Sequence, residues 1–128
     1  MTWNIWHHFG PWQERQVAIE QVIGHENPDV LFLQEVHTGE QQAEKLATKF
    51  GYQCVVTTSP WNMGNAILCR WPIVRFGQVA LPNAAGEPAH RRALWAVLDP
   101  TPKPAVPARS GCPAAAPRPA NERLPAWD

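Results

Sequence analysis

A layered α/β fold is what this sequence predicts: strand, helix, strand, helix, then a run of strands. Three observations carry that expectation. Two short apolar segments end in polar groups about thirty positions apart, Met1-Thr2-Trp3-Asn4-Ile5 with Asn4 at its tip and Asp29-Val30-Leu31-Phe32-Leu33-Gln34-Glu35-Val36 with Glu35 at its tip. Two stretches with helical spacing, each bounded by start and stop signals, follow these segments in alternation. Four more apolar segments then succeed one another, several apolar on both faces as strands buried between layers are.

The elements follow in order. A strand, helix, strand unit brings both strand tips to one end of a sheet, so Asn4 and Glu35 should meet there. An amide and a carboxylate at one sheet edge are oxygen donors suited to a hard cation such as Mg²⁺. Gly10-Pro11 before Trp12-Gln13-Glu14-Arg15 opens the first helix, with proline in the first turn, where its missing N–H costs nothing. Ala18, Ile19, Val22 and Ile23 form its expected buried stripe, and Asn27-Pro28 stops it. Thr38-Gly39-Glu40-Gln41 has the pattern of a capping box. Ala43, Leu46, Ala47 and Phe50 continue at helical spacing, and Gly51 is the expected C-terminal cap. Strands are expected at 52 to 58, 65 to 70, 73 to 81 and 91 to 98.

Composition bounds the rest. The 128 residues supply one domain at most, and 45% apolar with 17% charged residues is ordinary for a globular chain. Lys plus Arg equals Asp plus Glu, 11 of each, so no net field steers the chain onto nucleic acid, and such a substrate is neither supported nor excluded. No apolar run approaches the ~18 residues of a membrane span, and no basic-then-apolar leader opens the chain. Cys54, Cys69 and Cys112 are odd in number and widely spaced, which argues against a disulfide framework and suits a reducing compartment, so a cytoplasmic location is expected. Near Pro100 the composition changes: residues 101 to 128 hold seven Pro and seven Ala, which reads as a disordered or extended tail.

Thr2-Trp3-Asn4-Ile5, the block Pro28–Val36, and Gly64-Asn65-Ala66-Ile67-Leu68-Cys69-Arg70-Trp71-Pro72-Ile73 resemble, in order, successive motifs of the endonuclease/exonuclease/phosphatase superfamily. The resemblance covers roughly residues 1 to 99, and Phe9-Gly10-Pro11-Trp12 looks like its uncharacterised bacterial branch. It implies the N-terminal half of a four-layer α/β/β/α sandwich with the metal site at one end. It implies, too, that Glu35 is the direct Mg²⁺ ligand, with Mn²⁺ as an alternative ion, and that Asn4 orients the phosphate and assists at the metal. The implied chemistry is in-line phosphoester hydrolysis.

The same resemblance calls for a His–Asp pair and an Asp-x-Asn motif, and these are missing. The aspartates are Asp29, Asp99 and Asp128, and the histidine beyond His37 is His90, none in a Thr-His-Leu, Gly-Asp-x-Asn or Asp-His context. A partial domain, 1–100, followed by a tail, 101–128, is therefore expected. An out-of-frame reading of G+C-rich DNA yields Ala/Pro/Arg-rich text like this tail; a natural truncation and a pseudoenzyme retained for binding are the rival origins. The alternatives to a phosphoester hydrolase are a non-catalytic interaction module and an unstable truncation product. In either case a first sheet of about six strands with a bare inner face would need self-association or a partner to cover it.

Other residues have two readings each. His37 could contact phosphate or be a solvated helix start, and Asn65 could serve the site or shape a turn. Arg91 and Arg92 could reach a phosphate or face solvent; Arg92 is taken with His37 and Asn65 as substrate-contacting. His7, His8 and His37 could hold a transition metal, but without tight ligand spacing a loop pair is the favoured reading. Of seven tryptophans, Trp3, Trp71 and Trp95 are expected in the core; Trp6, Trp12 and Trp61 are undecided between core and base stacking.

Overall fold

The computed structural model describes residues 1–57, 61–82, 91–101 and 114–115. Its elements are β1 (Thr2–Asn4), α1 (Trp12–Glu26), β2 (Val30–His37), α2 (Gln42–Phe50), β3 (Gln53–Thr57), β4 (Met63–Cys69), β5 (Ile73–Ala80), β6 (Arg92–Leu98) and β7 (Ala114–Ala115). The expected order and type of every element through β6 hold, with strand ends displaced by one or two residues and the start of α2 by three. The Pro/Ala-rich tail expected to be disordered lies outside the described residues, apart from Thr101 and β7, whose two residues pair parallel to Val56 and Thr57.

Strands β1, β2, β4, β3 and β7 form one sheet in that spatial order, and β5 and β6 form a second. Strand β1 runs parallel to β2 with Asn4 opposite Gln34, which is the crossover geometry the first helix permits. Strand β4 is antiparallel to both β2 and β3. On the helix side of the sheet, Leu31, Leu33, Cys54, Val56, Ala66 and Leu68 join Ile5, Ile19, Ile23 and Leu46 in the core. The sheet's other face carries Phe32, Ile67 and Val55 in cross-strand register. Ile67 and Val55 are buried, because β5 and β6 pack over β3 and β4. Phe32 remains 44% exposed, since that hairpin stops short of β1 and β2. The expectation of one six-stranded sheet with a bare inner face is thus corrected: the second sheet has already begun and leaves only the β1–β2 flank open.

Both helices correct details of the sequence reading. In α1 Ile19 and Ile23 are buried, whereas Ala18 and Val22 are exposed. Each lies one residue, hence about 100° of turn, away from its buried neighbour. The flank turned toward α2 is polar instead: Gln42 Nε2 donates to Gln16 Oε1 at 2.8 Å, and Lys49 Nζ donates to Glu20 Oε2. Pro11 is the N-cap and does not enter the first turn, and Asn27 ends the helix in the left-handed conformation with φ 46°. The Thr38 capping box does not form. Helix α2 begins only at Gln42, after Gln41 in a left-handed conformation with no side-chain cap. Buried Gln42 closes the junction through its Oε1, which accepts the His37 N–H at 2.9 Å. Gly51 caps α2 as expected, with φ 70°.

The cysteine reading changes as well. Cys54 is disulfide-bonded, contrary to the expectation of unpaired thiols, and the inference of a reducing compartment loses that support. Cys69 is free and buried, and burial pushes its thiol pKa up to about 11. No helix among the described residues is long and apolar enough to cross a membrane.

The two α1 positions separate the sequence reading from the structure. Ile19→Ala should lower unfolding free energy by about 2–5 kcal/mol, whereas Val22→Ala should stay within about 0.5 kcal/mol; urea titrations of the two variants check this.

Candidate active site

Asn4 and Glu35 do meet. Parallel pairing of β1 and β2 puts their C-terminal ends side by side, and Asn4 Nδ2 donates to Glu35 Oε1 at 2.8 Å. The Trp6 N–H donates to Asn4 Oδ1 at 2.9 Å. Because one partner is a donor and the other a carboxylate, the orientation of the Asn4 amide is fixed by its network. Asn4 therefore holds one oxygen of Glu35 in place, and Glu35 Oε2 makes no hydrogen bond among the described residues.

Glu35 reaches this position through a break in the ladder. The pairing of β2 with β4 shifts register between Leu33 and Val36, and Glu35 has φ 57°. A bulge re-aims a side chain, and a left-handed non-glycine residue is strained backbone of the kind held at functional sites. The Glu35 carbonyl accepts the His7 N–H at 2.8 Å, so the main chain of Glu35 is tied to the loop after β1 and its side chain to Asn4 at the end of β1.

That loop is gathered by Arg15, on the first turn of α1. Its Nε donates to Ile5 O at 3.1 Å, Nη1 to Phe9 O at 2.8 Å, and Nη2 to Trp6 O at 3.1 Å and His7 O at 2.8 Å. The guanidinium also lies 5.1 Å from the centre of the Trp6 ring. Trp6 and His7 are both left-handed, with φ 59° and 43°. Four charge-assisted bonds outweigh the cost of two such residues.

A cavity of about 380 Å³ opens at the Asn4–Glu35 pair, with Gln34 beside them, Thr57, Met63, Gly64 and Asn65 from β3 and β4, and Leu81 just after β5 and Arg91 and Arg92 where β6 begins. Asn65 joins the two sheets here: its N–H donates to Thr57 Oγ1 at 2.8 Å and its Nδ2 to Arg92 O at 3.0 Å. A Cβ on Gly64 would stand 2.6 Å from Thr57 Oγ1 and 3.2 Å from Thr57 O, so only glycine permits this approach of β4 to β3. Of the residues singled out in the sequence, the cavity wall brings together Asn4, Glu35, Asn65, Arg91 and Arg92. His37 is not on that wall.

His37 belongs instead to a histidine cluster behind it. The His37 ring stacks on His8 at 3.8 Å and lies 4.5 Å from His7, while His8 also stacks on Trp12 at 4.0 Å. Burial lowers the pKa of both His8 and His37; neighbouring histidines add to the lowering, and Glu40 opposes it. Trp3 packs against the core as expected, whereas Trp71 and Trp95, also expected in the core, are only half-buried, and Trp6 and Trp61 are exposed. Sequence reasoning missed Arg15, Gln34, Thr57 and Gly64. Gly64 alone gave a signal, since glycine inside a strand pattern marks close backbone approach.

Two packed sheets with helices on the outer face of the first, and an amide–carboxylate pair at the strand ends, define an α/β sandwich with an oxygen-donor site at one end. The chain belongs to the Endonuclease/Exonuclease/phosphatase family, whose model matches residues 1–127, further than the 1 to 99 legible from motifs. The fold is similar to a functionally unknown conserved protein from Enterococcus faecalis V583, at TM-score 0.62 and 20% identity over 80% of this chain and 47% of that one. It is similar also to an endonuclease/exonuclease/phosphatase from Beutenbergia cavernae DSM 12333, at TM-score 0.58 and 24% identity over 78% and 34% of the respective chains. A third, from Bacteroides vulgatus, gives TM-score 0.57 and 20% identity over 74% and 44%. The chain thus spans about half the length of these structures or less. No curated protein matches. The family is generally dependent on a divalent metal.

Replacing Arg15 tests the loop. Arg15→Ala should cost about 2–4 kcal/mol and raise amide hydrogen exchange at residues 5 to 9, and Arg15→Lys should not restore protection, because a point charge cannot span four carbonyls.

The histidine cluster makes a pH prediction. Since the folded state protonates His8 and His37 less readily than the unfolded chain, stability is full above the ordinary value of 6.5 and falls as pH drops below it. Thermal melts across that range should show the decline, and replacing both histidines by alanine should flatten it.

Proposed function

We propose that the chain carries the cation- and phosphate-binding part of a Mg²⁺-dependent phosphoester hydrolase. The observation that supports this best is one cavity with the Asn4–Glu35 pair on one wall and Arg91 and Arg92 on another. An anionic phosphoester would be held between a carboxylate-bound cation and two guanidinium-bearing residues.

The donor chemistry fits a hard cation. Glu35 offers an oxygen that its partner Asn4 leaves unbonded, and Mg²⁺ is commonly held by one or two carboxylates with substrate phosphate completing the shell. Bound there, Mg²⁺ (or Mn²⁺) would polarise the phosphoryl oxygen and stabilise the leaving oxygen. Asn4 orients the Glu35 carboxylate; Asn65 fixes the Arg92 backbone, so that Arg92 and its neighbour Arg91 present positive charge to the phosphate. A nucleic acid is one such substrate, and neither net charge nor the cavity selects it over other phosphoesters.

Activity of these 128 residues by themselves should be near background. No histidine or aspartate lies on the cavity wall among the described residues, and acid–base assistance typically supplies about 10²–10⁴ in rate. The second reading, a non-catalytic interaction module, is favoured by the exposed Phe32 on the open flank of the first sheet, where a partner or a second copy would bind.

Isothermal titration should find Mg²⁺ binding in the millimolar range, about −4 kcal/mol, abolished by Glu35→Ala; tight binding that survives the substitution would refute the ligand assignment. A chromogenic phosphodiester assay with Mg²⁺ or Mn²⁺ should show turnover indistinguishable from the Glu35→Ala control. Clear turnover lost in that variant would keep the site and refute the inactivity.

A further inference from the structure

We propose that His8, His37 and Glu40 form a second cation site, separate from the Asn4–Glu35 cavity, which takes Zn²⁺. One ligand atom from each of the three lies within 4.8 Å of the other two. The residues come from different segments: His8 from the loop after β1, His37 from the end of β2, and Glu40 from the turn before α2. Their spacing along the chain carries no metal motif, and only the fold brings them together.

The donor set selects the ion. Two imidazole nitrogens and one carboxylate suit Zn²⁺, which takes N and O ligands in tetrahedral sites and can leave the fourth position to water. Mg²⁺ prefers an all-oxygen shell, so the two sites differ in chemistry as well as place. His37 Nδ1 accepts the Glu40 N–H at 3.0 Å, so its lone pair is engaged and the proton of the neutral ring sits on Nε2; binding an ion through either nitrogen breaks this hydrogen bond, which the exposed turn can release to water. Glu40 Oε2 already stands 4.0 Å from His8 Nε2, and the exposed Glu40 side chain is free to close that gap.

The stacking requires a second adjustment. The His8 and His37 rings are stacked with 6° between their planes, and an imidazole binds metal along its own plane, so parallel rings cannot both aim at one ion. One ring must turn. His8 lies between Trp12 and His37 in the stack, whereas His37 is held on one edge by the Glu40 N–H; both are only half-buried, which leaves room for rotation about the side-chain bond. The bound ion would tie the Arg15-gathered loop to the turn after β2, on either side of the Glu35 bulge.

The test is titration of the full chain with zinc chloride, with Co²⁺ as a spectroscopic substitute. One Zn²⁺ should bind with a Kd of about 1 µM, and Glu35→Ala should leave this unchanged. His8→Ala and His37→Ala should each weaken binding by about 10–100-fold or more, since a direct ligand loses at least what an outer-shell partner does. His8→Asn and His37→Gln, checked for native circular dichroism, should reproduce the loss and so exclude misfolding as its cause. Co²⁺ should give the intense visible bands of a four- or five-coordinate site. Zn²⁺ binding unaffected by all four histidine variants, or lost with Glu35→Ala, would overturn the proposal.

Discussion

The guanidinium of Arg15 organises more of this site than either residue expected to do its chemistry. The chain leaving β1 must turn sharply to enter α1, and it does so with Trp6 and His7 in left-handed conformations, which are uncommon outside glycine and strained for a residue as bulky as tryptophan. Left to itself that turn would relax. Four carbonyls, from Ile5, Trp6, His7 and Phe9, converge on one planar group fixed to the first turn of the helix. Their alignment fixes the Trp6 N–H that orients Asn4 and the His7 N–H that holds the Glu35 carbonyl. Helix, loop, amide and carboxylate form one connected set of hydrogen bonds.

Glu35 shows the same economy from the strand side. In a regular strand, alternation from buried Leu31 and Leu33 would send residue 35 into the core beside them. The register shift between Leu33 and Val36 places Val36 in the core and frees Glu35 to point along the sheet edge. Strain at one residue thereby replaces the burial of a carboxylate, which would cost far more without a paired charge.

Much of this was legible in the sequence, and the parts that were not share a cause. Element order followed from apolar spacing and from Gly and Pro punctuation, because these are local signals. Asn4 and Glu35 were legible because each ends an apolar run, and parallel pairing then forces them together. The α1 stripe was misread at Ala18 and Val22 because apolar residues cover more than one line of the helix, and only its docking onto the sheet beside α2 decides which line is buried. Thr38 has the residues of a capping box but sits in a turn that Gln42 closes. Arg15, Thr57 and the His8–His37–Glu40 cluster depend on loops meeting across the fold. No pattern along one segment carries such a meeting.

The cavity also sits where cover over the first sheet ends. Asn4, Gln34 and Glu35 come from the open β1–β2 flank, Thr57, Gly64 and Asn65 from the covered β3–β4 flank, and Arg91 and Arg92 from the point where the chain enters β6 of the second sheet. Strand β6 packs on both β3 and β4, whereas β5 packs mainly on β3 of that pair. Among the described residues the second sheet's edge nearer Phe32 is therefore that of β6. A further strand added there would pass over Phe32 and wall the cavity on the side where Asn4 and Glu35 stand. Burial and site geometry thus meet at one edge, because the flank that leaves Phe32 exposed is also the flank that supplies Asn4, Gln34 and Glu35 to the cavity.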